Sequence, residues 1–85
     1  DAIGEFVDEE CYVSGTAREA ISMVFQRWRE RAEKRGEYVG TSRWLVAQLL
    51  TRGFEKTRLT GGTKAIAGLS LKPREPSGYQ PYRDD

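Results

Sequence analysis

An α+β fold of three helices and a small antiparallel β-hairpin is predicted for this chain by three features of its sequence. Apolar residues recur at helical spacing in two stretches ahead of Gly36. A short third helical stretch opens on Thr41 or Ser42 and closes at Gly53. Directly after it, two runs of strand formers flank Thr60-Gly61-Gly62-Thr63, where adjacent glycines accept positive φ and permit a tight reversal.

Taken in order, Ala2 to Cys11 sets Ile3, Phe6, Val7 and Cys11 at helix-like spacing among acidic residues, which predicts a first helix with a solvated acidic face. The acids lack calcium-loop spacing, so a metal site is not expected there. Tyr12 to Ser14 reads as a brief extended segment able to pair with the later hairpin as a third strand. Thr16-Ala17-Arg18-Glu19 fits a capping box, in which hydroxyl and carboxylate satisfy each other's backbone donors, and the helix it opens is expected to reach Arg35. Ala20, Ile21, Val24, Phe25, Trp28 and Ala32 form its packing stripe, with Trp28 read as core rather than base-stacking, and Gly36 as its stop. The outer face, Arg27, Arg29, Glu30, Arg31, Glu33, Lys34 and Arg35, mixes signs as a salt-bridged solvent surface does. Lys34 or Arg35 is a secondary candidate for a phosphate contact.

Gly36 to Gly40 predicts a short turn with Tyr38 and Val39 folded onto the core. In the Thr41 to Arg52 helix, Leu45, Val46, Leu49 and Leu50 share one face and Arg43, Ala47, Gln48 and Thr51 the other, with Trp44 at the border. Gly53 can close this helix in the left-handed conformation while Phe54 folds back against it. Phe54 to Leu59 and Lys64 to Leu71 are the hairpin strands. From Pro73 to Asp85 the chain holds three prolines and almost no aliphatic side chains, so a domain over 1–72 is expected to be followed by a flexible tail over 73–85, in which Tyr79 and Tyr82 are solvated.

Composition narrows the function classes. Eighty-five residues make one small domain, 32% charged and 38% hydrophobic. No apolar run approaches the ~20 residues a membrane helix needs, and no signal-peptide pattern opens the chain, so a cytoplasmic setting is the default expectation. Cys11 stands alone and there is no histidine, which rules out an internal disulfide and disfavours zinc, haem and triad chemistry; no cofactor and no metal are expected. A start at Asp1 rather than methionine suggests a piece of something longer. The acids Asp8, Glu9 and Glu10 adjoin no nucleophile, so an enzyme is not expected.

Helix, short connection, helix, then hairpin is the order of a winged helix-turn-helix, with the Thr41 to Arg52 helix as reader and the hairpin as wing. Net charge is only +1, but its distribution is uneven: −5 over Asp1 to Glu10 and +4 over Arg43 to Lys64. A phosphate backbone is the commonest partner for such a basic surface. The residues expected to touch DNA are Ser42, Arg43, Ala47 and Gln48 on the helix, which would enter the major groove, and Lys56, Arg58, Thr60 and Lys64 on the wing, which would touch backbone or minor groove. A structural ion pair of Arg43 with Glu37 or Glu55 is the competing reading for that residue. TGGT lacks the lysine and helix context of a nucleotide loop.

Phe6-Val7-Asp8-Glu9-Glu10-Cys11, a long helix with Phe25-x-x-Trp28 ending in Arg35-Gly36-Glu37, Arg52-Gly53-Phe54-Glu55-Lys56, and a hairpin ending Gly68-Leu69-Ser70-Leu71 together resemble the C-terminal module of phage and plasmid primase-helicases. The resemblance spans Phe6 to Leu71 and rests on order and spacing. It implies a winged-helix DNA-binding domain that follows a hexameric ATPase, with duplex DNA ahead of single-stranded DNA as partner and other replication proteins beside it. Where relatives often show several basic residues, positions 43 to 48 read RWLVAQ. The alternative is a protein-interaction module that docks a partner through an apolar patch of Trp44, Val46 and Leu50.

Overall fold

Asp1 begins the first helix by accepting a 2.8 Å hydrogen bond from the Gly4 amide, satisfying one of the orphan donors of the first turn. The computed structural model describes residues 1–73. Its elements are α1 (Ala2–Glu10), β1 (Cys11–Ala20), α2 (Ile21–Arg35), α3 (Ser42–Leu50), β2 (Glu55–Arg58) and β3 (Lys64–Leu71). This is an α+β architecture of three helices and a three-stranded antiparallel sheet, in the order β1-β3-β2. The 73–85 tail reading lies, from residue 74 onward, outside the described residues.

β3 is central because it alone has the apolar residues to be covered on both sides, with Ala65, Ile66 and Leu69 fully buried. It pairs with β2 from Glu55↔Ala67 to Arg58↔Lys64, close to the hairpin its sequence predicts. On the other side it pairs with β1 in two runs, Cys11↔Leu71 to Val13↔Leu69 and Arg18↔Ala67 to Ala20↔Ala65. Between the runs, Ser14 to Ala17 bulge out opposite Gly68. Gly68 has φ 110° and lies under the Phe54 ring, where an added Cβ would come within 2.8 Å of a ring carbon. Only glycine allows the bulge and the ring to share that spot.

Two expectations change here. The extended segment is not brief: it grows from Tyr12–Ser14 into the whole of β1, and the predicted third strand forms. The capping box does not form, since α2 starts at Ile21 with Ala20 as its N-cap and no side-chain cap bond. Thr16 instead turns its amide to the Ser14 hydroxyl at 3.3 Å, and the Glu19 carboxylate accepts from the Leu71 amide at 2.8 Å. A ladder with Ala65 to Ala67 satisfies the backbone of Arg18 to Ala20 as well as a first helical turn would, and it also covers β3.

Trp28 sits at the middle of the core, 1% exposed, with its indole N–H donating to the Val39 carbonyl at 2.8 Å. That bond joins α2 to the connection before α3, so the crossing of the two helices is fixed by a residue whose remaining surface is apolar. Phe6 meets Trp28 edge-on at 5.5 Å between ring centres, and Trp44 lies 6.0 Å away on the α3 side. Leu45 and Leu49 are buried as the spacing of α3 predicts, but Leu50 is 39% exposed because α3 ends there and the chain turns away. Val39 packs on the core, whereas Tyr38 does not fold inward: it is 68% exposed, its ring edge-on to Trp44 at 4.9 Å. Trp44 already occupies the space over Gly40, where a Cβ would lie 2.6 Å from the indole, so the tyrosine is left on the outside.

Candidate nucleic-acid interface

The basic residues fall into two sets. Arg27, Arg31 and Arg35 recur every fourth residue, a stripe of α2 that faces α1. Arg27 bonds Glu10 at 3.1 Å and the Lys72 carbonyl at 3.2 Å, Arg31 lies 2.9 Å from Glu9 and 3.5 Å from Glu10, and Arg35 reaches Glu5 at 3.2 Å and Glu37 at 3.4 Å. Arg52 pairs with Asp1 at 2.6 Å. The mixed signs of this helix predict a salt-bridged solvent surface, and ion pairs do form along it. Arg29 and Glu33 lie 4.0 Å apart on the helix itself, whereas Arg27, Arg31 and Arg35 reach out to α1 and to Glu37. Arg35 thus has two carboxylate partners on the protein, whereas Lys34 has none among the described residues.

Arg18, Lys34, Arg43, Lys56, Arg58 and Lys64 have no carboxylate at salt-bridge distance among the described residues. The competing ion pair of Arg43 with Glu37 or Glu55 is thus not formed; Glu37 turns to Arg35. Arg43 stands exposed in the first turn of α3, whose N-cap Thr41 accepts from the Trp44 amide at 3.1 Å. Ser42 and Ala47 are exposed beside it, and Gln48 is half-buried, with its carbonyl taking the Thr51 hydroxyl at 2.7 Å.

On the hairpin, Lys56, Arg58, Thr60 and Lys64 are all exposed. Arg58 and Lys64 are cross-strand partners, and Lys56 precedes Arg58 by two residues, hence on the same face of the strand. The Arg58 guanidinium donates to the Gly62 carbonyl at 2.8 Å, which holds it back along the hairpin rather than leaving it to sweep through solvent. These three cations line an open concavity of about 350 Å³, completed by Thr57 and by Ile21 at the start of α2. Like charges gathered without an acid repel one another, an arrangement that an anion relieves.

Three of the eight predicted contact residues are therefore brought round one hollow. Thr60 lies at the hairpin tip outside its lining, and Ser42, Arg43, Ala47 and Gln48 sit on α3, which packs against β2. Sequence reasoning missed Thr57 and Ile21. Thr57 had a signal, a hydroxyl between two cations in an edge strand. Ile21 had none, because its spacing assigned it to the packing stripe of a helix.

Compared with known proteins, the chain matches no family model, no curated protein and no solved structure. The chemistry on the surface carries what can be said of function. Among the described residues no three or more metal-ligating side chains come together, and no helix is long and apolar enough to cross a membrane. The Cys11 thiol is pushed up to about 11, first by burial and next by the neighbouring Glu10 charge, so it is not a nucleophile near neutral pH. In the apolar patch of the alternative reading, Trp44 and Val46 are half-buried against the core and Leu50 is exposed, so none of the three is fully buried.

Proposed function

We propose that this chain is a winged helix-turn-helix module that binds DNA, duplex ahead of single strands, through the outer side of α3 and the hairpin. The winged-helix reading is supported by the element order together with the placement of β3 between β1 and β2. The DNA reading is carried by the sorting of the cations. Arginines facing α1 are neutralised by its acids, while the charges of Arg43, Lys56, Arg58 and Lys64 on α3 and the hairpin are unmatched among the described residues. In this reading Ser42, Arg43, Ala47 and Gln48 meet the major groove, and Lys56, Arg58, Thr60 and Lys64 meet the flanking backbone. In this reading, which the resemblance to the C-terminal modules of primase-helicases supports, the module serves a cytoplasmic replication protein and does no catalytic work of its own.

The test is a titration of labelled duplex and single-stranded DNA at about 50 and 200 mM salt, with the parent chain and the triple variant Arg43→Ala, Lys56→Ala, Arg58→Ala. The parent should bind duplex more tightly and weaken steeply with salt, and the triple variant should lose more than about tenfold in affinity at the lower salt. Equal binding by both proteins at both salts overturns the proposal. Salt-insensitive association that is lost on Trp44→Ala replaces it with apolar docking of a protein.

A further inference from the structure

The hollow beside the turn end of the hairpin ladder differs from a generic basic surface in what stands between its charges. Its lining comprises the cations Lys56, Arg58 and Lys64, one hydroxyl residue, Thr57, and one apolar side chain, Ile21. The register explains how they meet: Thr57 and Ala20 both pair with Ala65, so Ile21, one residue past Ala20, arrives beside the row that Thr57 occupies. Arg58 is held by its bond to the Gly62 carbonyl, and no acid among the described residues neutralises any of the three cations. The first residue of α2 lies at the rim and its helix start has no side-chain cap, which adds the positive end of a helix to the same hollow.

From this lining we infer that the hollow seats one esterified phosphate of a sugar–phosphate backbone, with the ammonium groups and the guanidinium around the phosphate oxygens and Ile21 against the adjoining sugar. The inference rests on the DNA-binding reading and sharpens it: the backbone is gripped at the last rungs of the ladder before the 59–63 turn, with Ile21 of α2 as one wall of the seat. A bare anion has no use for an apolar wall. A sugar–phosphate presents charge and hydrocarbon side by side, which is the pattern of the lining.

The experiment is a titration followed by NMR, reading the Ile21 methyl and the Thr57, Thr60 and Gly62 amides of the full chain. Three probes are used: a roughly 12-base-pair duplex, a little over one helical turn, deoxyribose 5-phosphate, and inorganic phosphate. Duplex and sugar phosphate should both shift Ile21 saturably, inorganic phosphate far less. Lys56→Gln and Lys64→Gln should each weaken duplex binding several-fold and abolish the Ile21 response, while Arg29→Gln, which removes the same charge from an exposed site on α2, changes neither. Dispersed spectra of the variants establish that they fold.

Duplex binding that moves Thr60 and Gly62 but leaves Ile21 still overturns the inference and leaves the DNA reading standing. A shift of Ile21 by sugar phosphate with no duplex binding keeps the seat and removes the DNA reading. Equal response to inorganic phosphate overturns the sugar contact, and silence to all three probes overturns both.

Discussion

Cys11 illustrates how a single side chain ties sequence, packing and pH together. It ends α1, begins β1, and is buried beside Glu10, so its thiolate would lose hydration and face a negative neighbour. Its pKa is accordingly raised from 9.0 to about 11. The sign follows from linkage. Below pH 9 both folded and unfolded thiols hold their proton and the group has no effect; between 9 and about 11 the unfolded thiol ionises first, so the unfolded state binds fewer protons and stability falls. A shift of this size corresponds to roughly 2 to 3 kcal/mol at most. Urea unfolding from pH 8 to 11 should show that decline in the parent and a shallower one in Cys11→Ala. Parallel curves would mean that the thiol is solvated. The sequence makes Cys11 a core residue through its spacing from Ile3 and Val7 and sets Glu10 beside it, but it does not say that Glu10 pairs with Arg27 and Arg31 of α2.

Among elements, the contact between α1 and α2 combines an apolar seam with a row of charges. Phe6 and Trp28 supply the seam, and Arg27, Arg31 and Arg35 the row. Arg31 is only 10% exposed along its side chain, and its Nε and Nη2 have no well-aligned hydrogen bond among the described residues, so its attraction to Glu9 and Glu10 is mostly electrostatic. Arg29, on the same helix, is 56% exposed and 4.0 Å from Glu33. Arg31→Gln should cost about 1 to 2 kcal/mol, because acids on α1 lose their counter-charge in a partly desolvated setting, and Arg29→Gln less than about 0.5 kcal/mol. Denaturant midpoints decide this, and equal losses would show that the row is ordinary surface. The helical stripe of α2 is legible in its sequence from Val24 to Ala32, as is the hairpin, since periodicity and adjacent glycines are local signals. The start of α2 is not, because the competitor of the Thr16 to Glu19 cap is a strand some fifty residues away. Likewise, the identity of the partners of Arg27 and Arg31 depends on how two helices cross, which no local pattern encodes.

At the scale of the whole molecule, a net charge of +1 conceals a separation of roles. The acids of α1 consume the cations that face them, so long-range attraction for a polyanion comes from what is left, chiefly Arg43, Lys56, Arg58 and Lys64. If the proposed DNA binding holds, this limits how strongly it can depend on salt. About four phosphate contacts correspond to a slope of about −3.6 in a plot of log affinity against log salt, or roughly a hundredfold loss between 50 and 200 mM. Lys64→Gln should make that slope shallower by about 0.9. Arg27→Gln should leave it unchanged while lowering stability, because Arg27 is held between Glu10 and the Lys72 carbonyl. The two variants remove the same charge from the same small protein, so a response that follows net charge alone would be identical in both. A slope steeper than about −6 would mean that the α1-facing arginines let go of their acids on DNA, and the division of cations into a structural set and a binding set would then fail.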